Sequence, residues 1–371
     1  MPLPNVIVAR IDSFEPQVTP FVRTLGARVR VNFGGQQIAY LDPESELSAT
    51  YADVLNELHQ ASLHAFVQVD PQSRTILDVQ VPTTGHVVSV EQDPGGELNF
   101  TLDSSQRRYR LQPSNPFHQE FLETLRDAYQ RNATIILTEK DEEPEIVDIR
   151  LAQNPTEPAH PEAGGIAPAL QVPRLQPVTM ARARELFHLV NRQSCNPRTG
   201  APPCIPFLFP RAGCTARAHQ MCKLMIEDGV EPCKVWNFGD LKVKTPNEPR
   251  CEASWWFHVA PVLQVTTEDS PGPQPYVVDP SLFRRPVPAE IWLAVQGDCN
   301  SRPLTTSPAP FIPLGQGGGF IYDPTYSQTE KLLAQCRAAL RRRCGANGPP
   351  PPPYAKCLEG AIAEPPASTD N

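Results

Sequence analysis

The sequence predicts an α+β protein in two parts: a tandem of small modules, each of antiparallel strands and one helix, then a domain in which a helix precedes its antiparallel strands. Three observations carry this expectation. One order of helix and strands occurs twice within 1–151, a proline-rich stretch at 152–178 sets that region apart, and all ten cysteines lie at or after Cys195. A chain of 371 residues that is 40% hydrophobic is long enough for two or three packed cores.

In the first part, Leu55, Leu58 and Ala61 match Leu122, Leu125 and Ala128 at one helical spacing. A strand follows each helix, Ala65–Val69 or Thr134–Thr138, and after an acidic turn comes a second, Ile76–Val79 or Ile146–Ile149. Short alternating segments precede the helices, Ala27–Val31 and Leu98–Leu102, bounded by Gly-Gly or Pro-Gly-Gly turns. The reading is an internal duplication with units at 1–84 and 85–151. Four scattered histidines, His59, His64, His86 and His118, are expected in surface or capping roles.

The prolines at 152–178 predict a linker with an accessible backbone. A helix is expected from about Thr179 to Asn191, then a loop carrying Cys195 and Cys204. Alternating strands are expected at 233–243, 254–265 and 276–279, which closes the core at about 300. The region 301–371 reads as a Pro/Gly-rich extension with one helix. Ser327 to Glu330 forms a capping box that opens it, and Gly345 stops it after Cys344. Arg341, Arg342 and Arg343 are expected as its solvated, dipole-complementing end, and 358–371 as a disordered tail.

The second part is organised around Cys214. Ala218, Met221, Cys222, Met225 and Ile226 form a helical stripe that ends at Gly229, so Cys214, directly after Gly213, opens a helix. Unpaired N–H groups and the positive dipole end favour thiolate there. His258 lies in a strand whose alternation places Ser254, Trp256, His258 and Ala260 on one face and Trp255, Phe257 and Val259 on the other. Asp279 ends a Val-Val strand before Pro280, where its carboxylate can hold an imidazole. His219 is rotated about 140° away from Cys214 on the same helix and makes a poor base. A thiol, an imidazole and a carboxylate in that order suggest a cysteine hydrolase or acyltransferase.

The runs GCTARAHQMC, KVWNFGDLKVKT, CEASWWFHVAPVL and VVDPSLF resemble the bacterial protein-glutaminase family, with motifs in the same order over about 180 to 300. The resemblance implies a papain/transglutaminase-like core, a catalytic triad of Cys214, His258 and Asp279, and deamidation of glutamine side chains within proteins. It also implies a secreted zymogen whose N-terminal pro-region, here 1–151, blocks the cleft. Trp255 and Trp256 are candidates for the wall of the substrate slot, with core packing as the competing role. A transglutaminase, a cysteine protease, a delivered toxin deamidase and a non-enzymatic binding protein are the alternative readings.

The expected partners are proteins or peptides with an accessible glutamine and a protease that cuts the linker; the protein is expected to be a monomer. No cofactor or metal is expected: no C-x-x-C pair occurs, and Gly317-Gly318-Gly319 lacks the strand and helix of a phosphate loop. Cys233 with Cys251 and Cys195 with Cys204 are the expected disulfides. A net charge of −8 argues against nucleic acid or anionic membrane as partner, and no apolar run reaches a membrane span. Met1-Pro2-Leu3-Pro4 does not read as a signal peptide, whereas the clustered cysteines favour an oxidising, extracellular compartment.

Overall fold

A computed structural model describes residues 5–19, 25–140, 145–152, 175–198, 202–315, 319–345 and 350–358. The bulk of the expected linker, 153–174, and of the expected tail, 359–371, lies outside the described residues, as do Gly317 and Gly318.

The chain begins with β1 (Val6–Glu15), β2 (Val29–Phe33), β3 (Gln37–Leu41), α1 (Ser48–Gln60), β4 (His64–Val69) and β5 (Ile76–Gln80). The same order follows in β6 (Thr83–Gln92), β7 (Leu98–Leu102), β8 (Ser105–Leu111), α2 (His118–Arg131), β9 (Thr134–Glu139) and β10 (Ile146–Leu151). The two sheets run β3-β2-β1-β4-β5 and β8-β7-β6-β9-β10, one strand order used twice. Each helix lays an apolar stripe on its own sheet. Leu55 and Leu58 pack with Val31, Phe33 and Val67, and Leu122 and Leu125 pack with Phe100, Tyr109 and Ile135.

The elements repeat at 70 residues (Ser48 to His118, His64 to Thr134, Ile76 to Ile146) rather than the 67 that separate Leu55 from Leu122. Three residues are nearly one helical turn, so a slip of that size still superposes apolar on apolar. Leu55 therefore corresponds to Leu125. Among the four histidines, His86 is buried: its backbone N–H donates to Asp103 Oδ1, its Nδ1 bonds Asp103 Oδ2 at 2.9 Å, and its Nε2 meets Thr134 Oγ1. It braces the turn between β7 and β8, an internal role where a surface or capping one was expected.

The second part comprises β11 (Val178–Thr179), α3 (Met180–Asn191), α4 (Cys214–Glu227), β12 (Cys233–Lys244), β13 (Glu252–Thr266), β14 (Gln274–Val277), β15 (Val287–Pro288) and α5 (Ala289–Ala294). It continues through β16 (Arg302–Thr306), β17 (Pro310–Pro313), β18 (Phe320–Tyr322), α6 (Ser327–Cys344) and α7 (Ala355–Leu358). Thr179 caps α3 by accepting from Arg182 N–H. Ala216, Met221 and Met225 of α4 pack with Phe187 of α3 and with Leu263 and Val265 of β13. The long β12–β13 hairpin is the spine of the sheet. It takes β16 on one side and β8 on the other through the Trp255–Arg107 pair, so the second module's sheet is continuous with it.

Several features of the C-terminal region differ from expectation. β16 extends the sheet past residue 300, and α6 belongs to the core through Leu333 and Leu340. The Ser327–Glu330 capping box is not used: Tyr326 precedes the helix without a side-chain cap, and Asp323 Oδ2 instead accepts from Thr329 N–H and Oγ1 at 2.7 Å. Arg341 and Arg343 are buried rather than solvated, facing Asp53 and Glu248. The first module sits against this helix through Arg337–Glu57 (2.7 Å) and Arg342–Asp78 (2.8 Å).

A disulfide joins Cys195 to Cys204. Cys251 pairs with Cys357, not Cys233. In the hairpin register Cys233 faces Val262 at one end, while Cys251 adjoins the Lys244–Glu252 pair at the other. Nearly the whole strand length separates the two, far beyond the reach of one bond.

Candidate active site

Gly213 occupies the left-handed region (φ +78°), and a Cβ there would lie 2.6 Å from Cys336 Sγ, so both backbone and space require glycine. The chain turns at this point into α4, with Cys214 as its first residue. Three residues on, the buried Arg217 donates from Nη1 to the carbonyls of Phe209 and Ala212, tying the loop before the cysteine to the helix after it.

The Cys214 sulfur is met by the Val259 N–H of β13. That edge of β13 carries no strand between the Trp255–Arg107 pair and the Val262–Val277 pair among the described residues. His258 is the residue before Val259, one position along the strand from the N–H that meets the thiol. His258 Nε2 bonds Asp279 Oδ2 at 2.8 Å. The same oxygen accepts from Trp292 Nε1 at 3.0 Å, and Oδ1 accepts from Ser281 N–H. His258 Nδ1 is buried with no hydrogen-bond partner among the described residues.

The imidazole is sandwiched between two indoles, Trp255 at 4.5 Å and Trp292 at 5.3 Å between centroids. Simple alternation put Trp256 on the face of His258 and Trp255 opposite. The structure reverses them, because the β12–β13 ladder slips between Phe238 and Leu241, directly across from the tryptophan pair. Trp255 joins Leu241, Val243 and Ala253, while Trp256 packs with Cys214, Phe238, Phe257 and Val259. Both are fully buried.

Burial is the largest influence on both ionisable ends of the constellation. It pushes the Cys214 thiol up, against the opposing Arg217 charge and Val259 N–H. At Asp279 burial also acts upward, but the His258 charge, the hydrogen bonds from His258 and Trp292, and Arg217 outweigh it and hold the carboxyl below its usual range. His219 lies elsewhere, bonded to Lys234 Nζ at 2.7 Å and to the Asp323 carbonyl, with burial and the Lys234 charge lowering its pKa to about 4.

What meets the Cys214 backbone N–H comes from the second module. The Gln106 side chain, buried to 1% exposure, places Oε1 2.9 Å from the Cys214 backbone N–H and donates from Nε2 to the Pro210 carbonyl, also at 2.9 Å. Neighbouring residues anchor it. Trp256 Nε1 donates to the Ser105 carbonyl at 2.7 Å, and Arg108 Nη2 donates to the Gly239 carbonyl at 2.9 Å. Sequence reasoning missed Gln106, Arg217 and Trp292. The first two make contacts no local pattern reports, and the third lies on a short helix with too few turns to display a face.

The arrangement holds a buried thiol, an imidazole bonded to a buried carboxylate, and a backbone N–H that already holds a carboxamide oxygen. Those are the components of acyl transfer through a thioester. Among the described residues no cluster of His, Cys, Asp and Glu is fit to hold a metal.

Residues 183–296 match a protein family described as glutaminase. Two solved structures are similar over most of their length. One is the A47Q2 mutant of pro-protein-glutaminase (22% identity, 67% of this chain and 89% of that chain, TM-score 0.51), the other pro-protein-glutaminase (22% identity, 67% and 88%, TM-score 0.50). No curated protein matches the chain.

Proposed function

We infer that this chain, which carries a glutaminase-family domain over residues 183–296, is a protein-glutamine deamidase held in precursor form by its N-terminal region. The observation that carries the reading is the primary carboxamide already lodged on the Cys214 N–H, in a site with the His258–Asp279 pair.

In the reaction, Cys214 gives its proton to His258 and the sulfur attacks the side-chain carboxamide carbon of a glutamine. The Cys214 N–H stabilises the oxyanion. Asp279, bonded to Nε2, fixes the tautomer in which Nδ1 exchanges the proton, and it stabilises the imidazolium. Collapse of the adduct expels ammonia with that proton. A water deprotonated by His258 then cleaves the thioester, leaving glutamate and the free thiol. Trp255 and Trp292 sandwich the imidazole and so serve as positioning residues; Trp256 lines the pocket at the sulfur.

The core of 179–300 is papain/transglutaminase-like in this reading, and 1–84 and 85–151 are duplicated units, supported by one strand order at a 70-residue spacing. That the similar structures are of pro-protein-glutaminase supports a pro-region role for the modules. The two disulfides support an extracellular setting, no described helix is long and apolar enough to cross a membrane, and a protease acting within 153–174 would activate a monomer.

The test is casein deamidation by the chain before and after cleavage between 153 and 174. Ammonia release that rises on cleavage, without amine incorporation or peptide fragments, supports the deamidase. Incorporation of an added amine would make it a transglutaminase, and fragments would make it a protease.

A further inference from the structure

An inhibitory segment needs only to fill a cleft, and apolar side chains do that without leaving polar atoms to satisfy. Gln106 does something more specific. Both ends of its carboxamide are engaged, the oxygen by the N–H of the nucleophile's own residue and the nitrogen by the Pro210 carbonyl, each at 2.9 Å. The oxygen thus sits on the N–H that the reaction above assigns to the oxyanion, and the amide nitrogen is held by the Pro210 carbonyl. The counterpart of Gln106 in the first module, Gln36, 70 residues earlier, is exposed. Burial of the glutamine belongs to the second module alone.

We propose that Gln106 is a built-in substrate as well as a plug: Cys214 deamidates it once, within the chain. This rests on the deamidase reading above. The sulfur forms a bond to the Gln106 side-chain carbonyl carbon, the C–N bond breaks, and ammonia leaves with the thiol proton. Water, the co-substrate of the hydrolysis, then replaces sulfur and leaves a glutamate side chain at position 106. The contact with Pro210 fixes the consequence. That carbonyl accepts from an NH2 group, and a carboxylate oxygen has no proton to offer it. The product is a buried anion facing an acceptor, so turnover weakens the plug that presented the amide. The second module is thereby a self-releasing inhibitor, one ammonia per chain.

The experiment uses the full-length chain with no added substrate. Ammonia is assayed against time, and the peptide containing residue 106 is mapped by mass. The expected result is release approaching one equivalent per chain, with residue 106 found as glutamate, or linked to Cys214 with one ammonia lost where water has not reached the thioester. Cys214→Ser and Cys214→Ala should give no ammonia and retain Gln106, and Gln106→Leu should give no ammonia with Cys214 intact. Gln106 unchanged in the native chain, while the same preparation cleaved between 153 and 174 deamidates casein, overturns the inference and leaves the deamidase reading standing. Gln106 unchanged with casein also untouched removes both. Conversion of Gln106 to glutamate to the same extent in the Cys214 variants would mark spontaneous hydrolysis and overturn the inference as well.

Discussion

The two N-terminal modules have one strand order and one helix each, yet they meet the rest of the molecule in unlike ways. The first sits on α6 through arginine–carboxylate pairs, Arg337–Glu57 and Arg342–Asp78, and leaves Gly35 and Gln36 exposed at the matching hairpin tip. The second adds β8 to the edge of β13 and buries Gln106 against Cys214. With the fold held in common, contact with Cys214 is not a property of the module's fold. It resides in the four residues Ser105–Arg108, which supply a carbonyl to Trp256, a carboxamide to Cys214, a strand pair to Trp255 and a guanidinium to Gly239.

Substitutions at each contact separate the roles of the two modules. The largest effect on stability is expected at the first module. Arg337→Ala leaves Glu57 buried without its partner and should destabilise the fold by about 3–5 kcal/mol in denaturant melts. Under native conditions it should leave Cys214 as protected from iodoacetamide as before. Faster alkylation well below the unfolding transition would show that both modules share the blocking role.

Arg108→Ala should act the other way round. It removes charge-assisted bonds to Gly239 and Asp240 at a partly exposed site and should speed Cys214 alkylation in the uncut chain by about tenfold, with a smaller change in melting. Because burial raises the thiol pKa, loosening the second module should also move the alkylation profile to lower pH. An unchanged profile would separate burial from reactivity. A smaller effect, about threefold to fivefold, is expected from Trp256→Phe, which keeps the ring but loses the bond to Ser105. Gln36→Ala, at the exposed hairpin of the first module, should change stability by less than about 0.5 kcal/mol and alkylation not at all.

What the sequence disclosed follows the range of the interactions involved. Cys214 at a helix start was legible because a glycine and a 3.6-residue stripe are local signals, and α3 lies close to the expected 179–191. The His258–Asp279 hydrogen bond spans 21 residues and came from residue order together with the family resemblance. Alternation failed at Trp255 and Trp256 because a slipped ladder is a property of two strands, not one. The Cys251–Cys357 bond and the burial of Arg341 and Arg343 depend on elements that return from the far end of the chain. Gln106 was the least legible of all. Its partners are more than 100 residues away, and its counterpart Gln36 shows that the same residue at the same point of the module can face solvent.

The central claim is that Cys214 is the nucleophile of a glutamine deamidase, and ammonia release from casein by the chain cleaved between 153 and 174 measures it most directly. The native protein should convert casein glutamines to glutamate with matching ammonia, and Cys214→Ala should lower the rate by about three orders of magnitude or more. Release by the variant at the native rate would contradict the account.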